Sequence, residues 1–302
     1  MWLVKTDSTG VEQWNKTYGG LEFEGAHAVI ETTDGGYLLA GSTESFGAGG
    51  EDMWLVKTDS TGVEQWNKTY GKNGSEGATS VIKTSDGGYL LVGVTISFGE
   101  GKGDFWLVKT DSTGIEQWNQ TYGGLEPELA NSVLETSDGG YVLLGITSSF
   151  REDNIDIWLI KMDSSGIEQW NQTYGGSEFD VAYSVIKTVD CGYLLAGRTN
   201  SFEEGNTDMW LIKTNSTGVE EWTQTYGGSE CDLTYSVIET TDGSYLLTGF
   251  TGSFGMGSND IWLIKVTIPF IKPVNGQTSG FIFISFFSAI IIFSIRQKRK
   301  IE

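Results

Sequence analysis

Tryptophan recurs in this chain at a fixed interval of 52 residues: Trp2, Trp54, Trp106, Trp158, Trp210 and Trp262 each open a WLVK or WLIK segment. A second series, Trp14, Trp66, Trp118, Trp170 and Trp222, follows twelve residues behind, and together the two series use all eleven tryptophans. Such a period means that one supersecondary unit is copied along the chain and buries its faces against its own copies. The repeat therefore decides the fold before any single residue is considered.

One period, from Ala28 to Gly71, predicts four short strands. AVIET (28–32) ends in the turn TDGG (33–36), and YLLAGST (37–43) follows. The longer loop ESFGAGGED (44–52) leads to MWLVKTD (53–59); the turn STG (60–62) leads to VEQWNKTY (63–70). Asp-Gly and Gly-Gly between apolar runs mark tight hairpins, because glycine accepts the positive φ such turns need. The second and third strands are apolar on both faces, as in a sheet sandwiched between sheets. The fourth mixes Trp and Tyr with polar residues, as on a half-exposed outer edge. An antiparallel four-stranded unit at roughly this period is the signature of a β-propeller blade. The expected fold is thus all-β, a β-propeller of four-stranded antiparallel blades over residues 1–266. The chain starts inside a blade (2–18) and closes with three strands of another (236–266), giving 21 predicted strands. Five blades, with the two ends joined in one blade to remove the sheet edges, is the expected closure; an open fragment of a larger ring is the alternative.

GGYLLAGST, DMWLVKTD and EQWNKTYGG resemble the β-propeller repeats of secreted and surface proteins of bacteria and archaea. DSTGVEQW (7–14) also resembles, one residue shorter, the tryptophan-docking motif of quinoprotein-type propellers. That resemblance implies that Trp14 and its repeats pack onto the adjacent blade. It carries no quinone cofactor with it.

Charge narrows the partners. Up to Phe270 there are 39 Asp and Glu against 14 Lys and Arg, so the body is near −25. An acidic body repels nucleic acid and attracts cations or basic partners. The tail differs: Gly280 to Ile295 is a run of 16 residues without charge, followed by RQKRK. The reading is a linker (267–279), a transmembrane helix (280–295) and a basic cytoplasmic tail (296–302), with the propeller outside. Because Met1 already begins a strand, a natural start further upstream is expected for an exported chain.

Candidate functional residues follow the repeat. One carboxylate stands ahead of each first strand, at Glu24, Glu76, Glu128, Asp180 and Asp232. Five of them around an axis could hold calcium through oxygen ligands; alternatively, each caps its own loop. Three residues on, His27, Thr79, Asn131, Tyr183 and Tyr235 vary, as ligand contacts or drifting positions would. Asp52, Asp104, Asp156, Asp208 and Asp260 are read as caps of the long loops, and Lys57 and its repeats as partners of turn aspartates such as Asp34 and Asp86. Asn15, Asn67, Asn73, Asn119, Asn171 and Asn215 begin glycosylation sequons. Cys191 and Cys231 have no metal or disulfide spacing.

His27 is the sole histidine, which excludes imidazole-assisted nucleophilic catalysis and His-based metal clusters. No glycine-rich phosphate loop precedes a helix. The expected function is a membrane-anchored cell-surface binding or adhesion module whose variable long loops meet an extracellular protein or glycan. The alternative is an extracellular carbohydrate-active or quinoprotein-like enzyme, or a fragment of one.

Overall fold

The computed structural model describes residues 1–150, 154–202 and 206–267. They form 21 strands and no helix. β1 (Trp2–Thr6) and β2 (Glu12–Thr17) make a two-stranded sheet. Four complete sheets follow. The first is β3 (Glu24–Glu31), β4 (Tyr37–Thr43), β5 (Asp52–Thr58) and β6 (Glu64–Tyr70). The second is β7 (Glu76–Lys83), β8 (Tyr89–Thr95), β9 (Asp104–Thr110) and β10 (Glu116–Tyr122). The third is β11 (Glu128–Glu135), β12 (Tyr141–Thr147), β13 (Asp156–Met162) and β14 (Glu168–Tyr174). The fourth is β15 (Asp180–Lys187), β16 (Tyr193–Thr199), β17 (Asp208–Thr214) and β18 (Glu220–Tyr226). β19 (Asp232–Glu239), β20 (Tyr245–Thr251) and β21 (Asp260–Val266) end the array. Every pairing is antiparallel and sequential, so each sheet is a simple meander.

Each complete sheet has two apolar faces, and the two differ. Leu38, Ala40, Met53 and Leu55 point onward and meet Ala78, Val81, Leu91, Trp106 and Val108 of the following sheet. The same arrangement recurs at the next junctions. A largely aliphatic face, with Phe105 at the second junction, thus meets a face that carries a core tryptophan. Fully burying one such side chain contributes about 1.5–3 kcal/mol, and each junction buries about ten.

The first strand starts four residues earlier than its hydrophobic pattern implies, at Glu24 and its repeats. A bulge explains the difference. The register with the second strand shifts around His27, Thr79, Asn131, Tyr183 and Tyr235, which are left unpaired. The extra residue breaks the period of two, so apolar alternation is readable only after it.

The expected closure into five blades is not formed. β1–β2 and β19–β21 remain separate sheets, because β1 and β21 fill the same role and β2 is already paired with β1. The end faces are accordingly uncovered: Trp2 is 67% exposed where Trp54 is 1%, and Ile261 is 89% exposed where Met53 is fully buried. A hollow of about 450 Å³ opens at the first end, lined by Met1, Trp2, Tyr18 and Glu24 among others. The fold is a propeller-like array of sheets, without a closed ring and so without an enclosed axial mouth. The expected linker, transmembrane helix and basic tail lie outside the described residues, apart from Thr267. Among the described residues no helix is long and apolar enough to cross a membrane.

In the first-to-second strand turns, Gly35, Gly87, Gly139 and Gly243 hold φ near +80°, while Cys191 occupies the same turn position at +67°. Left-handed backbone costs a non-glycine residue about 1–2 kcal/mol. Replacing Cys191 with Gly is expected to raise the thermal unfolding midpoint, and Cys191→Val to lower it, in paired melts.

Candidate functional site

Antiparallel meanders place the first and third turns of every sheet at one end, and the second turns and sheet-to-sheet connections at the other. The long connections wedge between successive long loops. Glu76 N–H donates to Glu51 O at 2.7 Å, and Gly74 N–H donates to Ser97 Oγ at 2.8 Å. This long-loop end carries the residues singled out in the sequence.

The five carboxylates open their strands and are consumed locally. Glu76 accepts from Lys72 N–H (3.0 Å), Thr95 Oγ1 (3.0 Å) and Ser97 N–H (3.1 Å). Glu128 accepts from Gly124 N–H and Thr147 Oγ1, Asp180 from Gly176 N–H and Ser201 Oγ, and Asp232 from Gly228 N–H and Ser253 Oγ. Glu24 takes Thr43 Oγ1 at 3.2 Å. Four of the five are buried, each with hydrogen-bond donors of its own. Among the described residues there is no group of three or more His, Cys, Asp or Glu placed to hold a metal.

The aspartates that open the third strands cap their loops: Ala48 N–H donates to Asp52 Oδ2 (2.7 Å), Glu100 N–H to Asp104 Oδ2 (2.8 Å) and Met256 N–H to Asp260 Oδ2 (2.7 Å). Asp52 and Asp104 also lie beside the acid of the next sheet, Glu76 and Glu128, a pairing that sequence reading missed. Its only signal was a constant offset of 24 residues between two invariant acids, as from Asp52 to Glu76. Burial pushes the Asp104 carboxyl above its ordinary range; the bond from Glu100 N–H opposes this and the charge of Glu128 reinforces it. Asp52 is raised likewise by burial, with Glu76 adding to it. Glu24 has no such aspartate beside it. There burial is outweighed by bonds from Ser45, Gly20 and Thr43, and the carboxyl sits below its ordinary value.

The varying positions are the bulge residues of the first strands, which lie side by side. Thr79 Oγ1 donates to Ala130 O of the next sheet (2.6 Å), and Asn131 Nδ2 donates to Ala182 O (2.8 Å). The Tyr183 and Tyr235 rings stand 5.2 Å apart, and His27 is exposed. Thr79 and Asn131 tie sheet to sheet; Tyr235 presents half its surface to solvent.

The sequon asparagines Asn67, Asn119 and Asn171 are exposed on the outermost strands, where each accepts from a core tryptophan. Trp54, Trp106 and Trp158 donate Nε1–H to them at 3.2–3.3 Å, and Trp210 turns to Thr223 instead. Their amide nitrogens donate to Glu64, Glu116 and Glu168, as Asn15 does to Glu12. Asn73 lies exposed in a connection, and Asn215 Oδ1 caps a short turn. Also unforeseen were the loop phenylalanines, which stack on the core tryptophans, as Phe98 does on Trp106 at 5.0 Å.

At the opposite end the expected ion pairs form. Lys57 meets Asp34 at 2.8 Å, Lys109 meets Asp86 at 2.7 Å and Lys213 meets Asp190 at 2.8 Å, each lysine side chain buried and each aspartate half exposed. Trp14, Trp118 and Trp170 lean on Tyr37, Tyr141 and Tyr193 of the following sheet, the packing role implied for them. Cys191 and Cys231 are free and exposed.

No family model matches the chain, and no curated protein matches it. Among solved structures it is similar to a putative exo-β-1,3-galactanase from Bifidobacterium bifidum, at 11% identity and a TM-score of 0.45, covering 91% of this chain and 98% of that one. It is also similar to an endo-arabinase from Bacteroides thetaiotaomicron, at 10% identity and a TM-score of 0.43, over 85% and 99% of the two chains. At such TM-scores neither likeness bears on what this chain does.

Two outcomes follow. Asn67→Ala should lower stability by about 1 kcal/mol, the cost of an unpaired buried donor, while Asn67→Thr, the choice made beside Trp210, should stay near wild type in the same melts. At Asp86, burial opposes ionisation, but the bonds from Lys109, Thr84 and Gly88 prevail and hold the carboxyl at about 2. A depressed native value means that this stabilisation is present above the ordinary 3.8 and is lost as pH falls toward 2. Lys109→Met should therefore move the Asp86 midpoint up toward 3.8 in a carboxyl NMR titration.

Proposed function

We propose that this chain is a membrane-anchored binding module that meets an extracellular protein or glycan with its long-loop end. One observation carries the reading: differences between the repeats collect at the tips of that end, over a nearly uniform scaffold. FGAGG (46–50), FGEGKG (98–103) and FGMGSN (254–259) differ, while the turns of the opposite end repeat as TDGG and STG with few changes. The tips also expose apolar side chains with no structural partner to justify them; Leu21, Leu125 and Met256 are 99%, 71% and 87% exposed. Loops on a rigid frame are where binding concentrates.

The anchoring half of the proposal rests on sequence. The apolar run 280–295 followed by RQKRK fits a single span with a cytoplasmic end, and β21 runs away from the long loops. The variable tips would then face outward. The rival enzymatic reading needs an accessible carboxylate pair. The recurrent acid pairs here are sealed, with Asp104 and Glu128 exposed by 1% and 2%, which favours binding over catalysis.

Three measurements test this. Trypsin applied to intact cells should cut at exposed Lys102; protection until lysis would overturn the orientation. Incubation with β-1,3-galactan or arabinan should release no reducing sugar above a buffer blank, and release abolished by Glu128→Gln would establish the enzymatic reading instead. On glycan and surface-protein arrays, Leu21→Ser, Leu125→Ser and Met256→Ser combined should weaken retention at least about tenfold, the effect of losing roughly 1.4 kcal/mol.

A further inference from the structure

Each complete junction sets two carboxylates from adjoining sheets against one glycine. A methyl group on Gly123 would lie 1.6 Å from Asp104 Oδ1 and 2.7 Å from Glu128 Oε2. On Gly71 it would meet Asp52 Oδ1 at 2.0 Å and Glu76 Oε2 at 2.6 Å, and Gly175 and Gly227 repeat the pattern. A side chain there would collide with two acid oxygens, which converge where its β-carbon would stand.

The Asp104–Glu128 pair shows what the arrangement lacks. Glu128 accepts through both oxygens, from Thr147 Oγ1 at 2.8 Å and Gly124 N–H at 3.0 Å. Asp104 Oδ2 accepts from Glu100 N–H. Asp104 Oδ1, on a side chain 1% exposed, has no hydrogen-bond partner, and it is the oxygen aimed at Glu128 across Gly123. Among the described residues no lysine or arginine is paired with Asp104 or Glu128; Lys57, Lys109, Lys161 and Lys213 are spent at the opposite end. A buried carboxylate oxygen facing a second carboxylate is costly without a positive charge between them.

We infer that the junction of Asp104 and Glu128 is a site for one hard divalent cation of the calcium class, bridging the aspartate that opens β9 to the acid that opens β11. Two carboxylates supply part of the six to eight oxygens such an ion takes, and loop carbonyls and water supply the rest. This is not a ring of five acids but a two-acid site at a single seam. Glu24 marks its limit: with no aspartate beside it, it lacks the second ligand. The ion fastens sheet to sheet and shapes the long-loop end from beneath, whatever that end binds.

The test uses the full chain in detergent, stripped with EDTA and compared with and without calcium chloride. Calcium should raise the melting midpoint, and native mass spectrometry should find about one bound ion per chain. Asp104→Asn should abolish both; if that variant fails to fold, Glu128→Gln is expected to do the same. An unchanged midpoint with no bound ion at millimolar calcium overturns the proposal. So does stabilisation by acid alone between pH 7 and 5, which would assign a shared proton to the pair. Either failure leaves the array-binding result for the loop tips unaffected.

Discussion

Packing of unlike sheet faces is the interaction on which everything else here depends. A sheet that is apolar on both sides cannot exist alone in water, and each complete sheet answers that by setting one face, bearing Leu38 and Leu55 or Leu90 and Leu107, against the tryptophan-bearing face of the next. Because the faces are unlike, the contact has a direction, and it sets every other junction element in a fixed relation. Trp118 reaches Tyr141 of the sheet ahead, Tyr70 Oη donates to Gly114 O, and the bulge hydroxyl of Thr79 donates to Ala130 O. None of these is strong singly; hydrogen bonds of this kind net about 1 kcal/mol. They align a junction that burial already holds together.

Electrostatics divides the array into two ends of opposite design. At the short-turn end each buried lysine closes on a turn aspartate and donates as well to a carbonyl, as Lys109 does to Thr110 O, so the charge is neutralised within one sheet. At the long-loop end acids from two sheets meet with no lysine paired to Asp104 or Glu128 among the described residues, and Asp52 and Asp104 are raised where the turn aspartate Asp86 is depressed. The same residue type is used in opposite senses 18 positions apart, at Asp86 and Asp104. Burial without a cation separates the two.

Most of the fold was legible because it depends on local period. The second strand fell on Tyr37–Thr43 as its apolar run implies, and the hairpin turns lay where Asp-Gly and Ser-Thr-Gly stand. The Lys–Asp pairs and the loop-capping aspartates were legible for a related reason: their partners lie within one unit. Two features were hidden. The start of the first strand was masked by the bulge at Thr79 and its repeats, which shifts side chains to the other face. The pairing of Asp104 with Glu128 joins different sheets, and only the crossing of a loop over a connection brings them together. Openness stood only as the alternative to five closed blades, since counting strands does not tell whether β2 will leave β1 for β21.

The junction described here refers only to the sheet before and the sheet after; no contact in it registers how many sheets there are. Stability in such an array grows by nearly independent increments, one per added unit. A duplicated or deleted stretch of 52 residues would therefore join seamlessly to what remained, wherever in the period the break fell. Length in this architecture is set by the history of the gene more than by the physics of the fold, and a lineage could lengthen or shorten its reach without having to redesign a single interface.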